Sequence, residues 1–362
     1  MKALFPYKPI EYVNKILAGV STGIVVGLIA NAILGEVFKG LLGFTGWQVF
    51  QTLWEVVFAI QFTVPLIIGA LVGLQFGFNG IQLACLAGAT FIGSGVVNYN
   101  PELLSWTISG TGDLFNVMFT AFFAVVIIDF FKSRLGSLTV VLLPILGAGL
   151  AGFLGLMILP SVSSITSTLG NLINAFTNMQ KLLMGILISS AFSIFIITPV
   201  STVAIGLAVG LTGISAGSAA LGVAACTAVL VIGSIKVRNE KGVTIAVLLG
   251  AMKMMIPNLI KHPIMLLPVV TTASITGLVG AFFSIAGTAQ TAGFGLVGLV
   301  GPIGAYKGVE GIIGTASPLT KIGIIVVSFF VVTFGVAYIC DLVYRKTLKL
   351  YTNDIFENKG GM

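Results

Sequence analysis

An uncharged, glycine-rich polar segment has the residue types that could bind a hydroxyl-bearing ligand. It covers residues 284–295, within a strongly apolar region, and places Thr288, Gln290 and Thr291 among glycines. Hydroxyl and amide side chains both donate and accept hydrogen bonds, as the hydroxyl groups of a polyol require. The alternative is a packing hairpin whose polar groups satisfy its own backbone. We expect Thr288, Gln290 and Thr291 to line a binding site for an uncharged solute such as a sugar.

A second set of candidate binding residues surrounds Pro257. Lys253 lies in an apolar stretch, where an ionisable side chain is costly and therefore a functional candidate. It could bind an anionic or hydroxyl-rich ligand, or it could extend to the membrane interface. Asn258 adds an amide next to the helix-breaking proline. His262, the only histidine, could bind the ligand or titrate near neutral pH, or be an ordinary interface residue.

Three further polar residues lie in the first third of the chain. Asn98 and Asn100 could pair with ligand hydroxyls, although Asn100 followed by Pro101 is also an ordinary start of a turn. Glu55 lies in a long apolar run. It could couple proton movement, pair with a lysine, or only reach interfacial water. These residues are second-rank candidates for substrate binding.

The sequence lacks the residue patterns that several kinds of chemistry require. The sequence contains neither a phosphate-binding P-loop nor a Ser-His-Asp arrangement in a suitable context. One histidine and three cysteines at unpaired spacing, Cys85, Cys226 and Cys340, do not predict a metal site. We therefore expect no catalytic residue, no metal, no cofactor and no covalent chemistry carried out by this chain itself.

The composition predicts an all-α polytopic membrane protein. The 362 residues are 57% hydrophobic and only 8% charged, with a mean hydropathy of +1.12; soluble domains carry about 25% charged residues. Several apolar runs reach the roughly 20 residues that cross a bilayer. We expect eight to ten transmembrane helices surrounded by membrane lipid. The chain carries a net charge of +7, and basic residues at both ends flank apolar segments, so nucleic-acid binding is not expected.

The distribution of basic residues predicts the orientation. Lysine and arginine near both ends, and in the linkers 132–134 and 236–241, indicate the cytoplasmic side. The linkers 99–112 and 160–180 lack basic residues and are predicted to be external connectors. If the apolar segments between residues 181 and 235 made two full crossings, the basic linker 236–241 would lie outside rather than in the cytoplasm. Simple alternation of full crossings therefore fails between residues 181 and 260. The sequence therefore predicts re-entrant hairpins there, with both termini cytoplasmic.

An internal repeat is visible in the spacing of small residues. Residues 68–74 match residues 205–211, and at the same offset Gly80 aligns with Gly217 and Thr90 with Thr227. Chance similarity among small-residue helices is the alternative, since such residues are common where membrane helices pack. Repeats occur in many secondary transporters, whose sites lie at the repeat interface.

Several separated runs resemble the EIIC-like membrane proteins of the bacterial phosphotransferase system, with the perfringolysin-regulator-like proteins as one branch. The runs are residues 72–80, 91–95, 239–246, 252–263 and 287–302. The resemblance covers approximately residues 10–345. It implies a cytoplasmic N-terminal segment 1–14, a scaffold and dimerisation half 15–180, a substrate-binding half 181–344 with re-entrant hairpins, and a cytoplasmic tail 345–362.

The same resemblance implies a homodimeric sugar-transporting subunit in a bacterial plasma membrane, working by alternating access with separate cytosolic IIA and IIB phosphocarriers. Better-known members carry a hairpin of the Gly-Ile-Thr-Glu-Pro type whose glutamate faces the sugar hydroxyls. If residues 287–291 occupy that place, Gln290 stands where the glutamate would be. An amide cannot act as a general base, so phosphorylation coupling is in question. Two alternatives remain open: a membrane sensor that binds ligand without net transport, and an ion- or proton-coupled carrier of a small anion.

Overall fold

The protein is almost entirely helical and divides into two compact units. A computed structural model describes residues 7–102, 104–308 and 316–358, apart from some side chains inside helices. The units are Met1–Ile165 and Thr166–Met362. The predicted class, an all-α polytopic membrane protein, is confirmed. The boundary that we predicted after residue 180 lies further along the chain than the division between these units.

The first unit contains helices and one short hairpin. Apolar helices joined by turns containing Gly77, Gly95 and Gly112, all with positive φ, account for its secondary structure. Its elements are α1 (Pro9–Ala30), α2 (Glu36–Thr45), α3 (Gln48–Ile60), α4 (Val64–Gln75), α5 (Gly80–Gly93), β1 (Val97–Asn100), β2 (Ser105–Ile108), α6 (Leu114–Phe131), α7 (Thr139–Leu143) and α8 (Ala151–Thr177), which runs on into the second unit.

Small residues let the helices of the first unit approach closely. A Cβ atom added to Gly19 of α1 would lie 2.5 Å from the Cα atom of Val72 in α4. The buried amide of Asn116 in α6 donates hydrogen bonds to the carbonyl oxygens of Gly93 and, at 2.8 Å, Gly155. Close backbone contact and interhelical hydrogen bonds are how membrane helices associate without a hydrophobic driving force.

The second unit consists of longer helices joined by short broken pieces. Its further elements are α9 (Lys181–Ile197), α10 (Thr202–Val209), α11 (Gly213–Lys236), α12 (Lys241–Leu248), α13 (Ile256–Lys261), α14 (Leu266–Phe282), α15 (Ala289–Ala292), α16 (Val300–Tyr306), α17 (Pro318–Val326) and α18 (Thr333–Asp341). Helix α11 is buried along almost its whole length and packs against α9, α14 and α18. It is therefore the centre of this unit.

Six helical stretches among the described residues are long and apolar enough to cross a membrane. They are Gln48–Gln75, Leu114–Phe131, Gly136–Thr177, Gly213–Lys236, Pro263–Phe282 and Pro318–Thr347. Eight to ten transmembrane helices were expected; other apolar segments form shorter helices, such as Gly80–Gly93 and Lys181–Ile197, and α1 (Pro9–Ala30) has 22 residues.

One predicted connector is helical. Residues 160–180 were expected to be an external linker, yet helix α8 continues to Thr177 with Pro160 inside it. Hydroxyl side chains on this helix bond back to its own carbonyl groups; the Oγ atom of Ser163 donates to the oxygen of Leu159 at 2.6 Å. The hydroxyl groups thus find hydrogen-bond partners within the helix itself. The polar composition of the segment did not indicate that it would be helical.

The aligned halves of the sequence repeat contain the same succession of elements. Each has an apolar helix, a second helix, a turn and a third helix: α3, α4 and α5 in one copy, and α9, α10 and α11 in the other. A 3-10 turn (Gln61–Thr63) joins α3 to α4 within one helical stretch, whereas a non-helical break separates α9 from α10. The aligned threonines also behave alike. Thr90 bonds to the carbonyl oxygen of Leu86, and Thr227 to that of Val223, each at 3.0 Å.

Candidate functional site

The polar segment that follows α14 is irregular and rich in bends. Ser284 has φ 58°, Gly295 has φ 57° and Gly298 has φ 55°, so the backbone repeatedly adopts the left-handed conformation. Helix α15, between these bends, is a single turn of four residues. Glycine adopts positive φ at little cost, which accounts for Gly295 and Gly298 at two of these bends. Its backbone groups must be satisfied by neighbouring elements rather than by a long helix.

The beginning of α11 holds the segment through the backbone. Gly213 and Gly287 exchange two backbone hydrogen bonds, with nitrogen–oxygen distances of 3.0 and 2.9 Å. A Cβ atom added to Gly217 would lie only 1.9 Å from the carbonyl oxygen of Ile285. The two glycines of α11 therefore allow the backbone of the polar segment to lie directly against this buried helix.

Helix α10 supports the other side of the segment. The buried hydroxyl of Thr202 donates a hydrogen bond of 2.9 Å to the carbonyl oxygen of Gly293. A Cβ atom on Gly293 would lie 2.5 Å from the backbone nitrogen of Val203, and one on Gly206 would lie 3.1 Å from the carbonyl oxygen of Ala289. Helix α10 and the α15 turn thus form one closely packed pair.

The predicted side chains Thr288 and Thr291 lie together on the α15 turn. The backbone nitrogen of Thr288 donates to the Oγ1 atom of Thr291 at 2.9 Å, so that hydroxyl caps the turn. The side chain of Thr288 is exposed. Gln290 lies between them on the same turn, and its side chain is outside the described part of the structure. The turn therefore offers one exposed hydroxyl beside the position of Gln290.

Lys253 lies at the break between α9 and α10. Helix α9 ends at Ile197, where Pro199 follows, and its last carbonyl groups have no partner further along the helix. The Lys253 ammonium donates to the carbonyl oxygens of Thr198 and, at 2.7 Å, Val200. The residue is only 6% exposed. Lys253 therefore satisfies two carbonyl groups in the break that follows α9, the second of them two residues before the start of α10.

Asn258 holds the C-terminal tail. Its Nδ2 atom donates to the carbonyl oxygens of Ile355 at 2.9 Å and Glu357 at 2.8 Å. The backbone nitrogen of His262, at the end of the same helix, donates to the carbonyl oxygen of Asn258 at 2.7 Å. The structure thus places Asn258 in a contact with the tail.

The remaining predicted site residues are in the first unit. The Nδ2 atom of Asn98 donates to the carbonyl oxygen of Gly95 at 2.8 Å, and the Oδ1 atom of Asn100 accepts from the backbone nitrogen of Glu102 at 2.9 Å. Both amides therefore stabilise the β-hairpin and its turn. Glu55 accepts a hydrogen bond of 2.7 Å from Gln51, on the exposed side of α3.

The contacts that hold the C-terminal tail were not predicted from the sequence. Phe356 is 1% exposed, and a Cβ atom on Gly233 of α11 would lie 2.4 Å from its ring. The side chain of Asn239 donates to the carbonyl oxygen of Phe356 at 2.8 Å and accepts from the backbone nitrogen of Asn358 at 3.0 Å. The sequence did contain one indication of this contact: Phe356 is an aromatic residue of a type that is usually buried, in an otherwise polar tail.

The base of the tail is an ionic cluster around Asp341. Lys236 forms a salt bridge with this carboxylate, and the Nη2 atom of Arg345 lies 3.1 Å from the Oδ2 atom. Burial and the nearby Asp341 carboxylate raise the pKa of the Tyr351 phenol. The phenol is therefore protonated at neutral pH. Among the described residues, His, Cys, Asp and Glu side chains form no group of three that could hold a metal ion.

Comparison with known proteins gives one match, to a family model, and it covers nearly the whole chain. The model of the family described as "Phosphotransferase system, EIIC" matches residues 14–358, nearly the whole chain. Neither curated proteins nor solved structures gave a significant match. EIIC proteins are the membrane components of sugar transporters, which implies a sugar substrate and IIA and IIB phosphocarrier partners. The chain is therefore a multi-pass membrane protein that belongs to the phosphotransferase system EIIC family.

Proposed function

We propose that the chain binds and translocates a sugar at the polar segment 284–295. The observation that carries this proposal is an uncharged, bent segment whose backbone is held by α11 on one side and α10 on the other. A polar segment held in this way can turn hydroxyl and amide groups towards a neutral ligand. We assign the direct contacts to Gln290 and Thr288, with Thr291 as the cap that shapes the turn.

The other predicted residues of this unit have supporting roles in the proposal. Lys253 binds two carbonyl oxygens in the break between α9 and α10 and so keeps α10 in place beside the α15 turn. This engagement of its ammonium group by two carbonyl oxygens favours a supporting role over direct binding of an anion. Asn258 and His262 belong to the region that holds the tail. Asn98, Asn100 and Glu55 are assigned no direct contact with the sugar.

The lengths of the short helices support re-entrant hairpins. Helices α10 and α12 have eight residues each and α13 has six. At 1.5 Å per residue, eight residues extend about 12 Å, much less than the roughly 30 Å hydrocarbon layer. We propose that these elements enter the membrane without crossing it, and that transport is an alternating-access movement of the second unit.

We further propose the orientation and assembly of the transporter. Both termini lie on the cytoplasmic side of a bacterial plasma membrane, and the first unit mediates a homodimer. The basic linker 236–241 and the tail residues Arg345 and Lys346 support the orientation, because cytoplasmic segments carry an excess of positive charge. In this arrangement the docked tail faces the compartment from which IIB would approach.

The side chain of Gln290 could bind a sugar hydroxyl but could not act as the base in phosphoryl transfer. A sugar hydroxyl that attacks a phosphoryl group must lose its proton, and an amide does not accept it. If Gln290 stands in the place of the family's glutamate, this chain binds sugar with a weakened or absent base. Either the coupling is slow or the base is supplied by the IIB partner.

Ligand-dependent thermal stabilisation of the purified protein tests the proposal. A ligand that binds only the folded state raises the unfolding temperature by mass action. We expect a neutral sugar to raise it in the native protein and in Gln180→Ala, a control at an exposed amide, but not in Gln290→Ala. A shift with small anions alone would replace the proposal with the anion carrier.

Uptake into proteoliposomes, measured with and without IIA and IIB, separates transport from sensing. Entry of the stabilising sugar supports the transporter. Binding without entry under both conditions contradicts it and leaves a ligand-binding regulator.

A further inference from the structure

The β-hairpin of the first unit is amphipathic. In its register Val97 faces Ile108 and Tyr99 faces Trp106, while Asn98 faces Thr107 and Asn100 faces Ser105. Directly opposite residues point to the same side of a sheet and neighbours along a strand to opposite sides. One face is therefore entirely apolar and the other entirely polar. The two strands of this hairpin have four residues each, and most of their side chains are exposed.

The apolar face is exposed. Trp106 is 69% exposed, Ile108 52% and Tyr99 48%. The two aromatic rings lie beside each other with a centroid distance of 5.3 Å. Leu104, in the turn between the strands, is 78% exposed. The first unit itself thus leaves this face uncovered, and its partner must be apolar enough to accept a tryptophan, a tyrosine and aliphatic side chains together.

The hairpin is rigidly joined to the end of a membrane-spanning helix. The backbone nitrogen of Asp113 donates to the carbonyl oxygen of Ser94 at 2.9 Å, and that of Ser109 to Val96 at 3.0 Å. The Asp113 side chain then caps α6 by accepting from the backbone nitrogen of Asn116 at 2.9 Å. The position of the hairpin therefore follows the position of the first turn of α6.

The length of α6 sets the depth of that turn. The helix has 18 residues, most of them apolar, and a length of about 27 Å at 1.5 Å per residue, close to the thickness of the roughly 30 Å hydrocarbon layer. Its first turn must lie at a membrane surface, and so must the hairpin. Tryptophan and tyrosine concentrate at this depth because their rings are apolar with one polar group. Glu102 is the only charged residue in the interval 94–112, so no anionic headgroup is required.

We propose that the hairpin is an interfacial anchor that lies flat on the bilayer. Val97, Tyr99, Trp106 and Ile108 insert among the upper acyl chains of phospholipids, and the asparagine face meets headgroups and water. The anchor fixes the depth of α6 and with it the first unit, whether or not the second unit carries a sugar.

Fluorescence quenching of Trp106 in vesicles tests the anchor. The chain has three tryptophans, so Trp47→Phe with Trp54→Phe leaves Trp106 alone. In vesicles of phosphatidylcholine with bromines near the headgroup or deep in the chain, we expect strong quenching by the shallow bromines and little by aqueous acrylamide. The matched control adds Trp106→Phe and Thr107→Trp, moving the indole to the polar face, where acrylamide should quench it and bromines should not.

Three outcomes would overturn the proposal. Equal acrylamide quenching of Trp106 and of the Thr107→Trp control would place both faces in water. Protection of Trp106 from acrylamide by a sugar would make the face a carbohydrate platform. Insensitivity to both quenchers would mean that protein, such as a second copy, covers it. If the tryptophan variants do not fold, a nitroxide spin label attached to the cysteine of Trp106→Cys distinguishes the same outcomes. Its relaxation by oxygen, which concentrates in the membrane, is compared with its relaxation by a water-soluble nickel complex.

Discussion

The Nζ atom of Lys253 lies 2.7 Å from the carbonyl oxygen of Val200, inside the break that separates α9 from α10. The same ammonium also binds the carbonyl oxygen of Thr198. Two residues later, Thr202 binds the polar segment at Gly293. One buried lysine is therefore linked by hydrogen bonds, through a helix break and one short helix, to the turn that carries Gln290.

Replacing Lys253 with methionine should destabilise the protein. The carbonyl oxygens of Thr198 and Val200 would remain buried without a donor, and an unsatisfied buried polar group costs about 1–3 kcal/mol. Thermal unfolding in detergent measures the change. Lys261→Met, at an exposed lysine of the next helix, is the control and should unfold like the native protein. Equal unfolding temperatures for Lys253→Met and the native protein would mean that the break is held by other contacts.

Gly217→Ala should damage the site. The new methyl group would lie 1.9 Å from the carbonyl oxygen of Ile285, and because both partners belong to packed backbone, one must move. Overpacking of this kind costs about 1–3 kcal/mol or more. We expect a lower unfolding temperature and loss of sugar-dependent stabilisation. Gly323→Ala in α17 is the control, since its methyl group would meet nothing within 4 Å; an equal loss there would refute the close-approach argument.

Asn258→Ala should release the C-terminal tail. The variant loses the two hydrogen bonds to Ile355 and Glu357, while the burial of Phe356 remains. Hydrogen–deuterium exchange of residues 351–358 should become faster, with little change in α9 or α14. Asn178→Ala, which removes only a local hydrogen bond to Asn174, serves as the comparison. Unchanged exchange in Asn258→Ala would show that Phe356 and Asn239 hold the tail without it.

Gln290→Glu should increase phosphoryl transfer if the proposed site is correct. A carboxylate at this position can accept the proton of the attacking sugar hydroxyl, and general-base catalysis contributes about 10²–10⁴-fold. With IIA, IIB and the sugar that stabilises the native protein, formation of sugar phosphate should be faster in the variant. Gln180→Glu, which adds the same charge at an exposed position, should have no effect. A Gln290→Glu rate at or below the native rate argues against this alignment with the family's glutamate.

Part of the fold could be predicted from the sequence. The membrane class follows from composition and run length, the break before α10 from Pro199, and the similar order of elements from the aligned Gly80 and Gly217. Each of these depends on residues near one another in the chain. Hydropathy and backbone preference act between residues close together in the chain, so the sequence alone determined these three features.

Only the tertiary structure decided what the polar residues bind. Lys253 finds its partner 53 residues earlier, and Asn258 finds carbonyl oxygens 97 and 99 residues later. Which distant carbonyl lacks an intrahelical partner, and which side chain reaches it, depends on how broken helices pack. The sequence by itself determined that polar groups lie in an apolar chain and must be satisfied. Packing decided that a lysine binds the carbonyl groups of a helix break and that an asparagine holds the tail.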